Sequence, residues 1–299
     1  MGASRNVKVS TIQCGAASMD KKTNIERNLQ WVDRAAVYEP DFILLSELST
    51  TPYFCGDYKM EYFDWAEPVP GETTQRFGEK AKAIGAHIIL PLFEKTAEKQ
   101  FYNSAVLIGP DGEIIPGILP DGSQVPAYRK VHIPASVDFE TNILRSNEKF
   151  YFSPGPGFPV FNTTLGVVGI LICWDKRFFE AWRLLALQGA EIIFNPIATW
   201  GRWREETFGI ELRIMAMNNQ LAVVGVGKAG TESLDYNRDF KGGSFIVDPW
   251  GNVIASSEAE EGKITQAEID LGEIEKARAS TPMYRDRRPE LYELLTKTI

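Results

Sequence analysis

Apolar residues recur along the chain in two alternating rhythms. Residues 7–13 alternate, with Val7, Val9, Thr11 and Gln13 on one side and Lys8, Ser10 and Ile12 on the other, which predicts a strand. Residues 23–36 change to steps of four, three and four through Ile25, Leu29, Val32 and Ala36. That is one face of a 3.6-residue period, a helix, with Thr23 or Asn24 placed to cap its start. Phe42-Ile43-Leu44-Leu45 is a continuous apolar run between polar residues, as expected of a strand covered on both faces. A helix over 73–84 leads into a strand at 87–90. Residues 102–108 and 113–116, joined at Asp111-Gly112, predict a hairpin.

The second half keeps the same style. Strands are predicted at 166–172, 192–194, 221–226, 244–247 and 264–269. Helices are predicted at 178–188, ended by Gly189, at 205–219 and at 272–279, with a turn at Pro249-Trp250-Gly251. Residues 280–299 are polar and Arg-rich, then Leu- and Tyr-bearing, and read as a C-terminal docking tail. Strands alternating with helices, with hairpins inserted, specify an α/β protein whose mixed sheets are covered by helices. No linker, low-complexity stretch or clear internal repeat divides residues 1–299, so one domain is expected.

Composition narrows the class. With 44% hydrophobic and 24% charged residues, a 299-residue chain buries a large core without a metal or disulfide staple. The net charge of −8 and the lack of a Lys/Arg-rich run argue against nucleic acid as a partner. No apolar run approaches the length of a membrane span. Residues 1–9 are polar, unlike a signal peptide, and Asn6 stands where a myristoylation signal beginning Met1-Gly2 wants Ser or Thr. Three dispersed cysteines, Cys14, Cys55 and Cys173, suit a reducing compartment, so a cytoplasmic protein is expected. With only His87 and His132, a zinc site or a Ser-His or Cys-His nucleophile pair is poorly supplied.

Three polar residues sit in or close strand-like apolar runs. Glu47 follows Phe42-Ile43-Leu44-Leu45-Ser46, Lys130 lies in Tyr128-Arg129-Lys130-Val131-His132-Ile133-Pro134, and Cys173 follows Val167-Val168-Gly169-Ile170-Leu171-Ile172. Strand C-terminal ends are where α/β proteins present functional groups. A carboxylate, an ammonium and a thiol together can perform acyl transfer: the carboxylate takes the thiol proton, the sulfur attacks, and the ammonium lowers the thiol pKa and stabilises the oxyanion. Taken singly they read otherwise, Cys173 as a small core hydrophobe, Glu47 as a solvated strand end and Lys130 as a surface charge.

The three segments together resemble the nitrilase, or carbon–nitrogen hydrolase, superfamily, and the resemblance covers essentially the whole chain. Ser46 departs from the Pro usual before that family's Glu. The resemblance implies an α-β-β-α sandwich in which Glu47 is general base, Lys130 stabilises the tetrahedral intermediate and Cys173 is the nucleophile. It further implies the Trp174 backbone N–H as a second oxyanion donor, and Glu148 as a second carboxylate that positions Lys130 and the water. By itself Glu148 reads as an exposed loop residue. No cofactor or metal is implied, and a homodimer or homotetramer joined through C-terminal segments is expected.

Within the family, Tyr53-Phe54-Cys55, Cys173-Trp174-Asp175 and Tyr284-Arg285-Asp286-Arg287-Arg288-Pro289-Glu290 resemble N-carbamoylputrescine amidases. Lys176 and Arg177, the long segment between Lys130 and Glu148, and Gly227-Lys228-Ala229-Gly230-Thr231-Glu232 resemble N-carbamoyl-D-amino acid amidohydrolases. A substrate carboxylate needs a cation, and Arg offers a two-pronged one, whereas a diamine-derived substrate would be repelled by Lys176 and Arg177. The expected small-molecule substrate is therefore an N-carbamoyl amino acid or β-amino acid. A carbamoyl-diamine or simple amide is the alternative, and a non-catalytic family member the third. As plain helix-start charges, Lys176 and Arg177 would instead pair with Asp175 or Glu180.

Overall fold

Each of two sheets is built around three parallel strands joined by two helices. The computed structural model describes residues 5–137, 144–235 and 237–297, apart from the side chains of 136, 137, 144, 145 and 202–205. Met1-Gly2, part of the Lys130-to-Glu148 segment and the end of the tail lie outside the described residues. In the first sheet Asn6–Ile12, Phe42–Leu45 and His87–Lys95 run parallel, connected by α1 (Lys21–Ala36) and α2 (Glu72–Ile84). Ile264–Asp270 pairs antiparallel at one edge, and Phe101–Ile108 then Tyr128–Arg129 at the other. In the second sheet Gly166–Ile170, Ile192–Ile197 and Ala222–Gly227 run parallel, connected by α3 (Phe179–Leu187) and α4 (Arg202–Asn219). The helix α5 (Gly272–Ser280) follows the last strand of the first sheet.

Side-chain alternation joins the layers into an α-β-β-α sandwich. Phe42 and Leu44 point into the core between the sheets, where Phe42 meets Phe194 with ring centroids 5.3 Å apart. Ile43 and Leu45 point the other way, onto Ile25, Leu29 and Val32 of α1 and Phe77 of α2. The continuous apolar run is thus a strand buried on both faces, as its composition requires. Trp182 and Leu185 of α3 and Phe208 and Leu212 of α4 cover the outer face of the second sheet. Among the described residues, no helix is long and apolar enough to cross a membrane.

Three local expectations change. The cap of α1 is Asp20, whose carboxylate accepts from the Lys22 and Thr23 N–H groups at 3.2 Å, so the helix starts before Thr23 or Asn24. The hairpin partner of Phe101–Ile108 is His87–Lys95, not residues 113–116, which make one bridge between Ile114 and Ile108. Pro116, lacking an N–H, ends that ladder, and Gly117–Ile118 crosses to the second sheet. The strand predicted at 166–172 ends at Ile170. The chain has no legible internal repeat because its two parallel units share a connection pattern and not a spacing.

Candidate active site

Glu47, Lys130, Glu148 and Cys173 come together where the two sheets present their loops. Glu47 lies in the turn after Phe42–Leu45 and is fully buried. Three donors hold its carboxylate: Lys130 Nζ at 3.0 Å and Asn103 Nδ2 at 2.8 Å on Oε1, and the Ala198 N–H at 2.7 Å on Oε2. The last comes from the second sheet, so Glu47 spans the sandwich. With both oxygens engaged it has one setting, as a general base needs.

Lys130 follows the edge strand Tyr128–Arg129, anchored by its N–H on the Asn103 carbonyl at 2.8 Å. Its side chain is 0% exposed, which contradicts the surface-charge reading. Glu148 takes Nζ on both oxygens, at 2.9 and 2.7 Å, and accepts from Tyr53 Oη at 2.7 Å. Burial works against the Lys130 charge, but Glu148 and Glu47 outweigh it and hold its pKa well above the ordinary lysine value. Glu148 is buried, not a loop carboxylate, because the short helical turn it opens runs into Tyr151 and Phe152, which pack on Phe54 and Phe93. Burial raises its pKa to about 7 against the pull of Lys130, and the charge of Glu47 adds to the rise.

Cys173 opens a short 3-10 turn, Cys173–Arg177, with φ at +48°. A non-glycine residue there is strained, and a sharp strand-to-helix turn of this kind pushes its side chain out of the sheet toward the cleft. The sulfur feels Glu47, Lys130, Lys176 and Glu148 electrostatically. The Cys173 thiol pKa is raised, not lowered as its cationic neighbours suggested. Burial, reinforced by Glu47, raises it to about 12 despite Lys130 and Lys176. Cys173 therefore carries its proton as a thiol. Cys14 and Cys55 are buried in apolar clusters; Cys173, at 9% exposure, is the most accessible of the three.

Trp174, Lys176 and Arg177 line the same narrow cleft as Cys173, together with Tyr53, Thr199 and Trp200. Lys176 and Arg177 do not pair with Asp175 or Glu180. They meet Glu211 of α4, Lys176 Nζ at 3.3 Å and Arg177 Nη2 at 3.0 Å. Asp175 is occupied elsewhere: it accepts from Tyr128 Oη at 2.5 Å and from the N–H and Nδ1 of His132, each at 2.8 Å. A residue two past the cysteine thereby grips the residues two before and two after Lys130.

Asn103 and Glu211 were not named from the sequence, and Asp175 only within a motif and as a partner for Lys176 or Arg177. An Asn inside the largely apolar strand Phe101–Ile108 was a signal for the first; the roles of the other two become visible once the segments meet. The motif 227–232 finds a role as a clip. Lys228, fully buried, pairs with Glu232 Oε1 at 2.7 Å and donates to the Thr51 carbonyl at 2.8 Å, while Glu232 Oε2 accepts the Tyr53 N–H at 2.6 Å. Both hold the loop between Glu47 and Tyr53. Gly227 is required at its base, since a Cβ there would lie 2.2 Å from Gly242 Cα.

Known proteins share this arrangement of chain and sheets. A curated N-carbamoylputrescine amidase from Solanum lycopersicum is 34% identical, over 97% of this chain and 95% of its own. A citrullinase from Francisella tularensis is 32% identical, over 98% and 99%. The crystal structure of a carbon–nitrogen hydrolase from Helicobacter pylori superposes with a TM-score of 0.86 at 30% identity, covering 98% of this chain and 99% of that one. The carbon–nitrogen hydrolase family model matches residues 8–279. With two sheets back to back, and a family match over nearly all of the sandwich, the chain belongs to the carbon–nitrogen hydrolase family of the nitrilase superfamily and is a hydrolase of non-peptide carbon–nitrogen bonds.

Proposed function

We propose that the protein hydrolyses the carbamoyl C–N bond of N-carbamoyl amino acids or N-carbamoyl-β-amino acids through a Glu47–Lys130–Cys173 triad, without a cofactor. The observation that carries the substrate class is the placement of Lys176 and Arg177 in the cleft that holds Cys173. The cations suit a substrate carboxylate while the ureido group lies over the thiol. Glu47 takes the thiol proton as sulfur bonds to the ureido carbon, and the oxyanion is met by Lys130 and the Trp174 N–H. The proton passes to the terminal nitrogen as the C–N bond breaks, releasing ammonia and leaving an S-carbamoyl cysteine. Water, deprotonated by Glu47, displaces the sulfur; the resulting carbamate yields carbon dioxide and the amino acid. Glu148 holds Lys130 in place throughout.

N-carbamoylputrescine is the second reading. It is favoured by the likeness to the N-carbamoylputrescine amidase of Solanum lycopersicum and by Glu211, an anion beside the two cations. Ammonia release from N-carbamoyl amino acids, N-carbamoylputrescine and plain amides tests the choice, with Cys173→Ala as the blank. Turnover of the amino acid derivatives above the others is expected; preference for the diamine derivative overturns the first reading. We further propose a cytoplasmic homodimer or homotetramer, supported by the exposed Leu291, Leu294 and Leu295 of the tail.

A further inference from the structure

Glu211 stands outside the triad, on α4, and its two oxygens divide between the two cations of the cleft. Lys176 Nζ lies 3.3 Å from Oε2, and Arg177 Nη2 lies 3.0 Å from Oε1. The Lys176 side chain is almost completely buried, against the Phe208 ring of the same helix. An ammonium that deep is costly unless an anion accompanies it, and Glu211 supplies that anion. The same carboxylate repels an arriving anion and attracts an arriving cation. Building on the substrate reading above, we propose that Glu211 is the specificity-determining residue that sets how strongly the cleft discriminates between anionic, neutral and cationic carbamoyl substrates.

The argument is electrostatic and needs no contact between Glu211 and substrate. Arg177 lines the cleft with its Nη2 against Glu211. A substrate carboxylate therefore joins a group that already holds an anion, and a charge within a few ångströms in a half-buried site is poorly screened. Lys176 also acts on the Cys173 thiol, so a charge change at Glu211 reaches the nucleophile with every substrate. The informative quantity is thus a ratio of kcat/KM values, in which an effect common to all substrates cancels.

The test compares one N-carbamoyl amino acid, its carboxamide and N-carbamoylputrescine in wild type, Glu211→Gln, Glu211→Ala and Glu211→Asp. Both neutral variants should raise the anion-to-neutral ratio about tenfold and lower the cation-to-neutral ratio about as much, while Asp keeps wild-type ratios. Ala, a good helix former, covers the case in which Gln misfolds. Ratios within twofold of wild type in the folded neutral variants overturn the proposal. So does an Asp variant that shifts them as Gln does, since shape would then be responsible. If wild type prefers N-carbamoylputrescine but the neutral variants still shift both ratios as stated, the N-carbamoyl amino acid reading fails and the role of Glu211 stands.

Discussion

Two cationic sites flank Cys173, and they are built in opposite ways. At the centre one ammonium, Lys130, lies between two carboxylates, Glu47 and Glu148, with all three side chains at most 1% exposed. At the cleft mouth two cations, Lys176 and Arg177, meet on one carboxylate, Glu211, and Arg177 keeps partial exposure. The difference follows from burial and task. A lysine taken wholly out of water is held charged by anions on several sides, while burial, with Glu47 beside it, holds the Cys173 thiol pKa up. Under the proposed function the mouth admits a charged ligand, and there Arg177 lies closer to water than Lys130 does. The centre is built to hold one geometry, and the mouth is proposed to answer a charge.

Breaking the centre should have the largest effect. Lys130→Met leaves two buried carboxylates facing each other without their cation. It should lower kcat about a thousandfold or more, since it removes the oxyanion partner. It should also cost about 3–5 kcal/mol of stability, read by urea unfolding. A variant within tenfold of wild type in turnover would show that the centre is not the reacting site.

Breaking the mouth should cost less and spare the fold. Arg177→Ala is expected to lower kcat/KM for N-carbamoyl amino acids by about 1.5–3 kcal/mol. Converting the substrate carboxylate to an amide should lose a similar amount in wild type and little more in the variant. Lys176→Ala should act in the same direction but more weakly, as it lacks the fork. Additive losses from Arg177→Ala and the amide would separate Arg177 from the substrate carboxylate.

The pH dependence sharpens the same contrast. Glu148 keeps its proton in the folded protein up to about 7, against an ordinary carboxyl value of 4.5. Over that window the folded state binds more protons than the unfolded one, so this group's stabilisation, complete below about 4.5, is lost as pH rises through about 7. Relative to Glu148→Gln, the wild type should lose stability across that window. Ionised Glu148 is the form that pairs with Lys130, so kcat/KM should rise with pH to a limb near 7 that Glu148→Gln abolishes. An unchanged limb would assign it to another group. The mouth should leave this limb in place.

The smallest effect on the chemistry is expected at the tail. Thr281 and Tyr284 anchor its start on Gln220 and Asn219, whereas Leu291, Leu294 and Leu295 are exposed. Truncation after Asp286 should reduce the mass seen by light scattering to that of a smaller assembly. A full-length monomer at micromolar concentration would remove the assembly proposal.

Hydrophobic periodicity was enough to read the helices α1 to α5, the doubly covered strand Phe42–Leu45 and the mixed α/β class, because burial on one face or two imposes a pattern on the chain itself. Glu47, Lys130 and Cys173 were legible as candidates because they sit in or close apolar runs, with their roles implied only by the family resemblance. Their states were not. Glu148 looks like any loop carboxylate until the turn it opens is seen packed on Phe54 and Phe93, and a thiol beside a lysine looks activated until burial is counted. The partners that neighbours in sequence suggested for Lys176 and Arg177 lost to Glu211, 34 residues beyond Arg177. Sequence carries what each segment must bury. Which charge faces which, and how far from water, is a property of distances between segments that no single segment encodes, and here those distances set the electrostatics around Cys173.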